Sequence, residues 1–254
     1  MGYLLMDMKR FLLLFCLVVS SSINNILAED NFVSRMKYYE KQSKYSDVLE
    51  ICYNNKNEPY AIFIVGDYFY HGRKGVPINK AQGYLYYQQA ISPLTQLAQN
   101  NDNIAQYFLG RCYEYGKSDW KTAREWYIKA ADNGNSDAMV KAAMFIAKRK
   151  GGGKKEPARV MAYIQKAIRS GNPDGKALLA SFYLEGRKDI EKGIKLAKEA
   201  SDAGSPLGQM ILGSLYLQGI GSISKDEQKA IELFQLSSDQ GNSMVNDFLR
   251  QKKI

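Results

Sequence analysis

The chain has 254 residues, of which 45% are hydrophobic and 24% charged, and its formal net charge is +9. Such a composition excludes a disordered chain and suits one or two globular domains or a single repeat array. The positive charge favours acidic partners or anionic surfaces and carries no information about fold.

The N-terminus reads as a secretory signal over residues 1–28. Lys9 and Arg10 precede an apolar run at 11–19, and a polar stretch then leads to Ile26, Leu27 and the small residue Ala28. The run is about half of the ~20 residues that a membrane-spanning helix needs, so the mature chain is expected to carry no transmembrane segment. Met8 suits a start better than Met1, because Asp7 fits poorly beside a basic leader. Cys16 follows Leu14 and Phe15 rather than small residues, which argues against lipidation. Export to the periplasm or the medium is the expected localisation.

Residues 29–58 read as N-terminal capping helices, with 44–54 (KYSDVLEICYN) resembling the second helix of a worn repeat. From residue 59 one pattern recurs. It appears as Val65-Gly66-x-x-Phe69-x-x-Gly72, Leu109-Gly110-x-x-Tyr113-x-x-Gly116, Leu179-Ala180-x-x-Tyr183-x-x-Gly186 and Leu212-Gly213-x-x-Tyr216-x-x-Gly219. A degenerate copy has Ala143, Ile146 and Arg149 at the matching places. A second amphipathic element follows each copy, ending near Ala90, Ala130, Ala167, Ala200 and Ser237. Gly134, Gly171, Gly204 and Gly241 then punctuate the chain, as left-handed helix ends require. Residues 91–104 form a longer junction, and Pro93 is expected to kink the helix there. One helix pair cannot bury its apolar face alone, so the pairs must stack.

These residues resemble Sel-one-like repeats, relatives of the tetratricopeptide repeats, most closely at 110–135 and 208–242. The resemblance implies an all-α, right-handed α-solenoid of about five helix-turn-helix repeats, at about 59–102, 103–135, 136–172, 173–205 and 206–242, with a C-terminal capping helix over 243–254. Together with the signal segment, it implies an exported, non-enzymatic adaptor, expected to be monomeric when free, that binds another protein in its concave groove. A narrower version is an immunity protein neutralising a periplasm-acting type VI secretion toxin such as a phospholipase. In related arrays the first helix of each pair lines the groove, at three residues before the small packing residue and one, four and five after it. Carried over, these positions give Phe63, Asp67, Tyr70, His71, Tyr107, Arg111, Glu114, Tyr115, Met144, Lys148, Leu184 and Glu185 as partner-binding residues, besides the less distinctive Val140, Ala177, Ser181, Met210, Ser214, Leu217 and Gln218.

The loop at 148–155 (KRKGGGKK) lacks the glycine–lysine spacing of a phosphate-binding loop. Its Arg149, Lys150, Lys154 and Lys155 read first as a solvated flexible segment and second as a contact for an acidic partner. Catalysis has little support. His71 is the single histidine, so no histidine cluster can hold a metal, and Ser43-Lys44 and Ser224-Lys225 are adjacent pairs rather than Ser-x-x-Lys. No cofactor, metal or nucleic-acid partner is expected. A β-lactamase-like or cell-wall hydrolase is the alternative of a different class, although the repeats lack the paired cysteines of the relatives given that activity. Cys52 and Cys112 are a whole repeat apart, beyond the ~7 Å that a disulfide spans. Thiol titration of the chain from residue 29 onward, unfolded without reductant, should therefore count two free thiols; a count of zero would contradict the repeat map.

Overall fold

The computed structural model describes residues 32–187 and 189–252; the expectations placed on residues 1–28, including those for Met8 and Cys16, lie outside the described residues. These form thirteen α-helices and no strand. The chain divides into two compact units, residues 1–48 and 49–254. In the first, α1 (Phe32–Lys41) buries Val33 and Met36, one turn apart. Ser43 takes a positive φ of 56° in the turn that follows, where Lys44 N–H donates to the Tyr39 carbonyl. The helix α2 (Tyr45–Asn54) then begins and runs across the boundary between the units.

The second unit is a succession of helical hairpins. The pairs are α3 (Pro59–His71) with α4 (Lys80–Gln99), α5 (Asn103–Arg111) with α6 (Trp120–Asp132), α7 (Ser136–Ala147) with α8 (Pro157–Arg169), α9 (Pro173–Leu184) with α10 (Ile190–Asp202), and α11 (Pro206–Gln218) with α12 (Glu227–Asp239). Each pair packs internally and each second helix packs on the next first helix, so the sequence order is also the stacking order. A last short helix, α13 (Asn246–Gln251), lies against α12.

Two local devices recur along the hairpins. Between repeats, a left-handed residue is followed at once by a capping one: Asn101 and Asp102 at the first junction, a glycine and its cap at the later ones. Gly134 has φ +92° and Asn135 accepts from Ala138 N–H at 2.8 Å; Gly204 has φ +81° and Ser205 accepts from Gly208 N–H at 2.8 Å. The glycine releases the chain from one helix and the cap satisfies donors that the next helix leaves open. Within repeats, the small residue of the motif lets the paired helix approach. A Cβ added at Gly110 would lie 2.7 Å from the Tyr127 ring, and one at Gly213 equally close to Phe234. The third repeat manages with Ala143, which is fully buried, and forms the same hairpin despite its degenerate motif.

Two features go beyond the repeat pattern. The helix α4 continues through Pro93 for two further turns, because Leu94 and Ala98 are fully buried. The array also turns back on itself. Lys74 N–H, in the loop between α3 and α4, donates to the Asp239 carbonyl at 3.0 Å, His71 Nδ1 lies 3.3 Å from Ser243 Oγ, and the Arg73 guanidinium sits directly on Gly241. The loop of the first repeat is thus docked on the end of the fifth.

Cys52 and Cys112 are both buried and are not bonded to each other. Replacing Gly110 with Ala should destabilise the array by about 1–3 kcal/mol, the usual range for an overpacked core. Thermal unfolding followed by circular dichroism should show the midpoint several degrees lower, and an unchanged midpoint would mean that Tyr127 can move aside.

Candidate functional site

Because the array closes on itself, its first helices surround a cavity of about 550 Å³. Tyr70 and His71 come from α3, and Tyr107 and Arg111 from α5. Glu114 and Tyr115 lie on a π-helical turn, Cys112–Gly116, that extends α5. The helix α7 presents Asp137, Lys141, Met144 and Lys148, spaced as one stripe of a helix face. Asp174, Pro206 and Leu207 close one side, and residues 240–244 close another.

Two buried carboxylates organise the wall. Asp67 is 4% exposed and receives Arg111 at 2.7 Å, Arg73 at 2.8 Å and the Tyr87 hydroxyl at 2.8 Å. Burial alone would push its pKa up; Arg111, His71 and Arg73 outweigh it and hold the group far below the usual carboxylate range. Glu114 repeats the arrangement one hairpin later. It receives Lys150 at 2.8 Å, Lys141 at 3.1 Å and the Tyr127 hydroxyl at 2.7 Å. Burial is again opposed, first by Lys141, and the pKa is held down at about 2. In both cases a tyrosine of the second helix reaches through the hairpin to a carboxylate of the first, so packing and charge are coupled. Lys141 also donates to the Tyr115 hydroxyl at 3.1 Å, and its ammonium lies 5.2 Å from the Tyr115 ring centroid.

His71 has opposing neighbours. Asp67 Oδ1, 4.0 Å from Nε2, would favour the charged ring. Burial is the larger effect, Arg111 and Arg73 add to it, and the imidazole is pushed down to about 3.

Eight of the twelve groove residues expected from the sequence line this cavity: Tyr70, His71, Tyr107, Arg111, Glu114, Tyr115, Met144 and Lys148. The other four do not. Phe63 is 2% exposed and stacks on Phe108 at 3.9 Å, so it is inter-repeat packing. Asp67 lies beneath the wall and acts through Arg111 and Arg73. Leu184 packs over Gly193, where a Cβ would meet it at 2.7 Å, because the short turn after α9 rotates it onto α10. Glu185 leaves the helix in an extended conformation and is exposed away from the cavity.

The basic loop is divided as well. It is docked rather than wholly solvated: Gly151 sits against the Trp120 carbonyl, Arg124 pairs with Glu156 at 3.1 Å, and Lys150 crosses the Trp120 ring to reach Glu114. Arg149, Lys154 and Lys155 are exposed and lie outside the cavity lining.

Sequence reasoning missed Lys141, Asp137 and Arg73, together with the 240–244 segment. Lys141 carried a usable signal, since it stands one turn before Met144 and two turns before Lys148 on the same face. Among the described residues no group of three His, Cys, Asp or Glu side chains could hold a metal ion, and no helix is long and apolar enough to cross a membrane.

The titrating groups give a signed pH prediction. Asp67 and Glu114 are depressed, so the stability they confer is complete above the ordinary carboxylate range and is lost as pH falls through it towards about 2. His71 stays neutral when folded, so loss begins near its ordinary value of 6.5, where the unfolded chain takes up a proton that the folded one refuses. Its contribution is about 1 kcal/mol per pH unit. Denaturant titrations should show stability declining below pH 6.5, and His71→Asn should remove the decline between 6.5 and 4.5 while leaving the steeper one below. At neutral pH, Tyr127→Phe should lower stability by about 1 kcal/mol and Glu114→Gln by about 3 kcal/mol, since the latter strands two partly buried ammonium groups.

The Sel1 repeat family model matches residues 59–92, 103–135, 173–205 and 206–242, omitting only the degenerate third hairpin among the five. No curated protein matches the chain. Solved structures resemble it. A Sel1 repeat protein from Oxalobacter formigenes is 25% identical with a TM-score of 0.47, covering 87% of this chain and 89% of that one. A protective antigen of uropathogenic Escherichia coli, displaying an SLR fold, is 21% identical with a TM-score of 0.43 over 89% of this chain and 53% of its own. A Pseudomonas aeruginosa protein is 17% identical with a TM-score of 0.46 over 80% and 77%. With more than half its length matched, and with the hairpins stacked as the repeats require, this chain belongs to the Sel1 repeat family, whose members generally mediate protein–protein interaction and are typically non-catalytic.

Proposed function

We propose that this chain is an exported, non-enzymatic scaffold that binds another protein at the cavity enclosed by its first helices. The observation that carries the reading is the cavity wall itself. Tyr70, Tyr107, Tyr115 and Met144 supply broad apolar contact, and Arg111 and Lys141 are held in fixed positions by Asp67 and Glu114. Aromatic side chains and arginine preorganised by packing are the usual anchors of protein interfaces. The basic leader, apolar run and Ala28 at the N-terminus support export. Neutralisation of an envelope-acting toxin is a special case of this reading, tested by whether the chain protects cells that express a periplasmic phospholipase encoded beside it.

Photo-crosslinking tests the general reading. A benzophenone amino acid replacing Met144, in the cavity, or Leu85, which is 59% exposed on α4, would be introduced in the native host. A discrete protein adduct is expected from position 144 and none of the same mass from 85. Equal adducts from both, or none from 144, would refute binding at the cavity.

A further inference from the structure

The charge around the cavity is unbalanced in a specific way. Asp67 is shared by two guanidinium groups, those of Arg73 and Arg111. Glu114 is shared by two ammonium groups, those of Lys141 and Lys150. The Glu114 cluster therefore keeps one net positive charge at the wall. Lys80 and Lys148 also line the cavity, and among the described residues neither forms an ion pair. On the acidic side, Asp137 accepts from Asn172 at 2.7 Å and Asp174 accepts from Ser205. Burial also raises the Asp174 pKa. Positive charge in a concave site with apolar walls acts over a longer range than on an open surface, because less water screens it.

A second observation concerns hydrogen bonding. Arg111 Nε and His71 Nε2 are both buried at this wall without a hydrogen-bond partner. Arg111 Nε is a donor in every state of the side chain, and an incoming acceptor would offset the cost of leaving it unmatched. The apolar part of the lining, Tyr70, Tyr107, Tyr115 and Met144, lies among these cations rather than apart from them. A bare inorganic anion would leave those rings unused, whereas an acidic side chain beside an apolar one would use both.

We infer that the partner engages the cavity through an acidic–apolar segment, with an Asp or Glu carboxylate taken by Lys148, Lys141 and the Arg111 edge and the neighbouring apolar side chain set against Tyr115 and Met144. The inference rests on the protein-binding reading above and deepens it. The contact is a charge-assisted hydrogen bond and involves no covalent step.

The probe is a fluorescent peptide with a Glu-Phe-Glu centre in a Gly-Ser frame, its control carries Gln-Phe-Gln, and binding to the full folded chain is read by anisotropy. The acidic peptide should bind at least about tenfold tighter than the control, a difference of about 1.4 kcal/mol, and should weaken as salt rises. The double variant Lys80→Glu, Lys148→Glu removes only exposed side chains that support no buried contact. It should abolish the preference while its circular dichroism and unfolding midpoint stay as in the parent. Equal binding of the two peptides, or a preference that survives the double variant, would overturn the inference. So would vesicles of phosphatidylglycerol that bind the chain and displace the acidic peptide, which would assign the cations to a lipid headgroup. If the crosslink from position 144 forms while the acidic peptide does not bind, this inference fails and the protein-binding reading stands; if neither occurs, both fail.

Discussion

Asp67 lies where water cannot hydrate it, and much of the unit depends on how it is satisfied. A bare carboxylate at that depth would neutralise itself by taking a proton. Instead it stays charged because Tyr87 reaches it from the paired helix, Arg111 from the next repeat and Arg73 from the loop that docks on the last one. One side chain thereby joins three levels of organisation: the hairpin, the stack and the closure of the array. Removing it would release two guanidinium groups into the cavity, so the wall geometry and the fold cannot be varied independently at this point.

Glu114 shows the same solution reached by a different route. Its carboxylate sits four residues after the motif glycine rather than one, on a π-helical turn, and is met by lysines instead of arginines. A π-turn widens the helix locally and is often found where side chains must be re-aimed. Here it brings Glu114 and Tyr115 onto the cavity wall together. The two clusters are alike in stoichiometry, one carboxylate to two cations and one tyrosine.

The hairpins were legible in the sequence because close helix approach leaves few options at fixed places. Gly110 and Gly213 have no room for a Cβ, and the third repeat was recognisable because Ala143 is still small enough for the same position. The cavity was legible in part. Position five after the small residue lies on the inner face in each of the first three repeats, and position one does so in the second and third, whereas Asp67 in the first lies beneath it. Positions three before and four after it lie at the edge of that face, where local packing decides, and so Phe63 and Leu184 turned into the core while Tyr107 and Tyr70 did not. Lys141 lay on the inner stripe and was passed over because the family pattern does not use its position. The 240–244 segment had no local signal at all. Which loop it meets depends on the accumulated rotation of five hairpins, a quantity that no single repeat encodes.

That closure has a further consequence. In an open solenoid each repeat touches only its neighbours, stability is close to a sum along a line, and the ends fray first. Once Lys74 is pinned to Asp239 and His71 to Ser243, the line acquires something near a periodic boundary: the first hairpin has a neighbour on both sides, and so does the last. Fraying from either end must then break the same seam. The number of hairpins is fixed for the same reason, since one more or one fewer would carry Asp239 past the loop it meets. Repeat arrays ordinarily evolve by duplicating units; this one can change its residues freely only so long as it keeps its count.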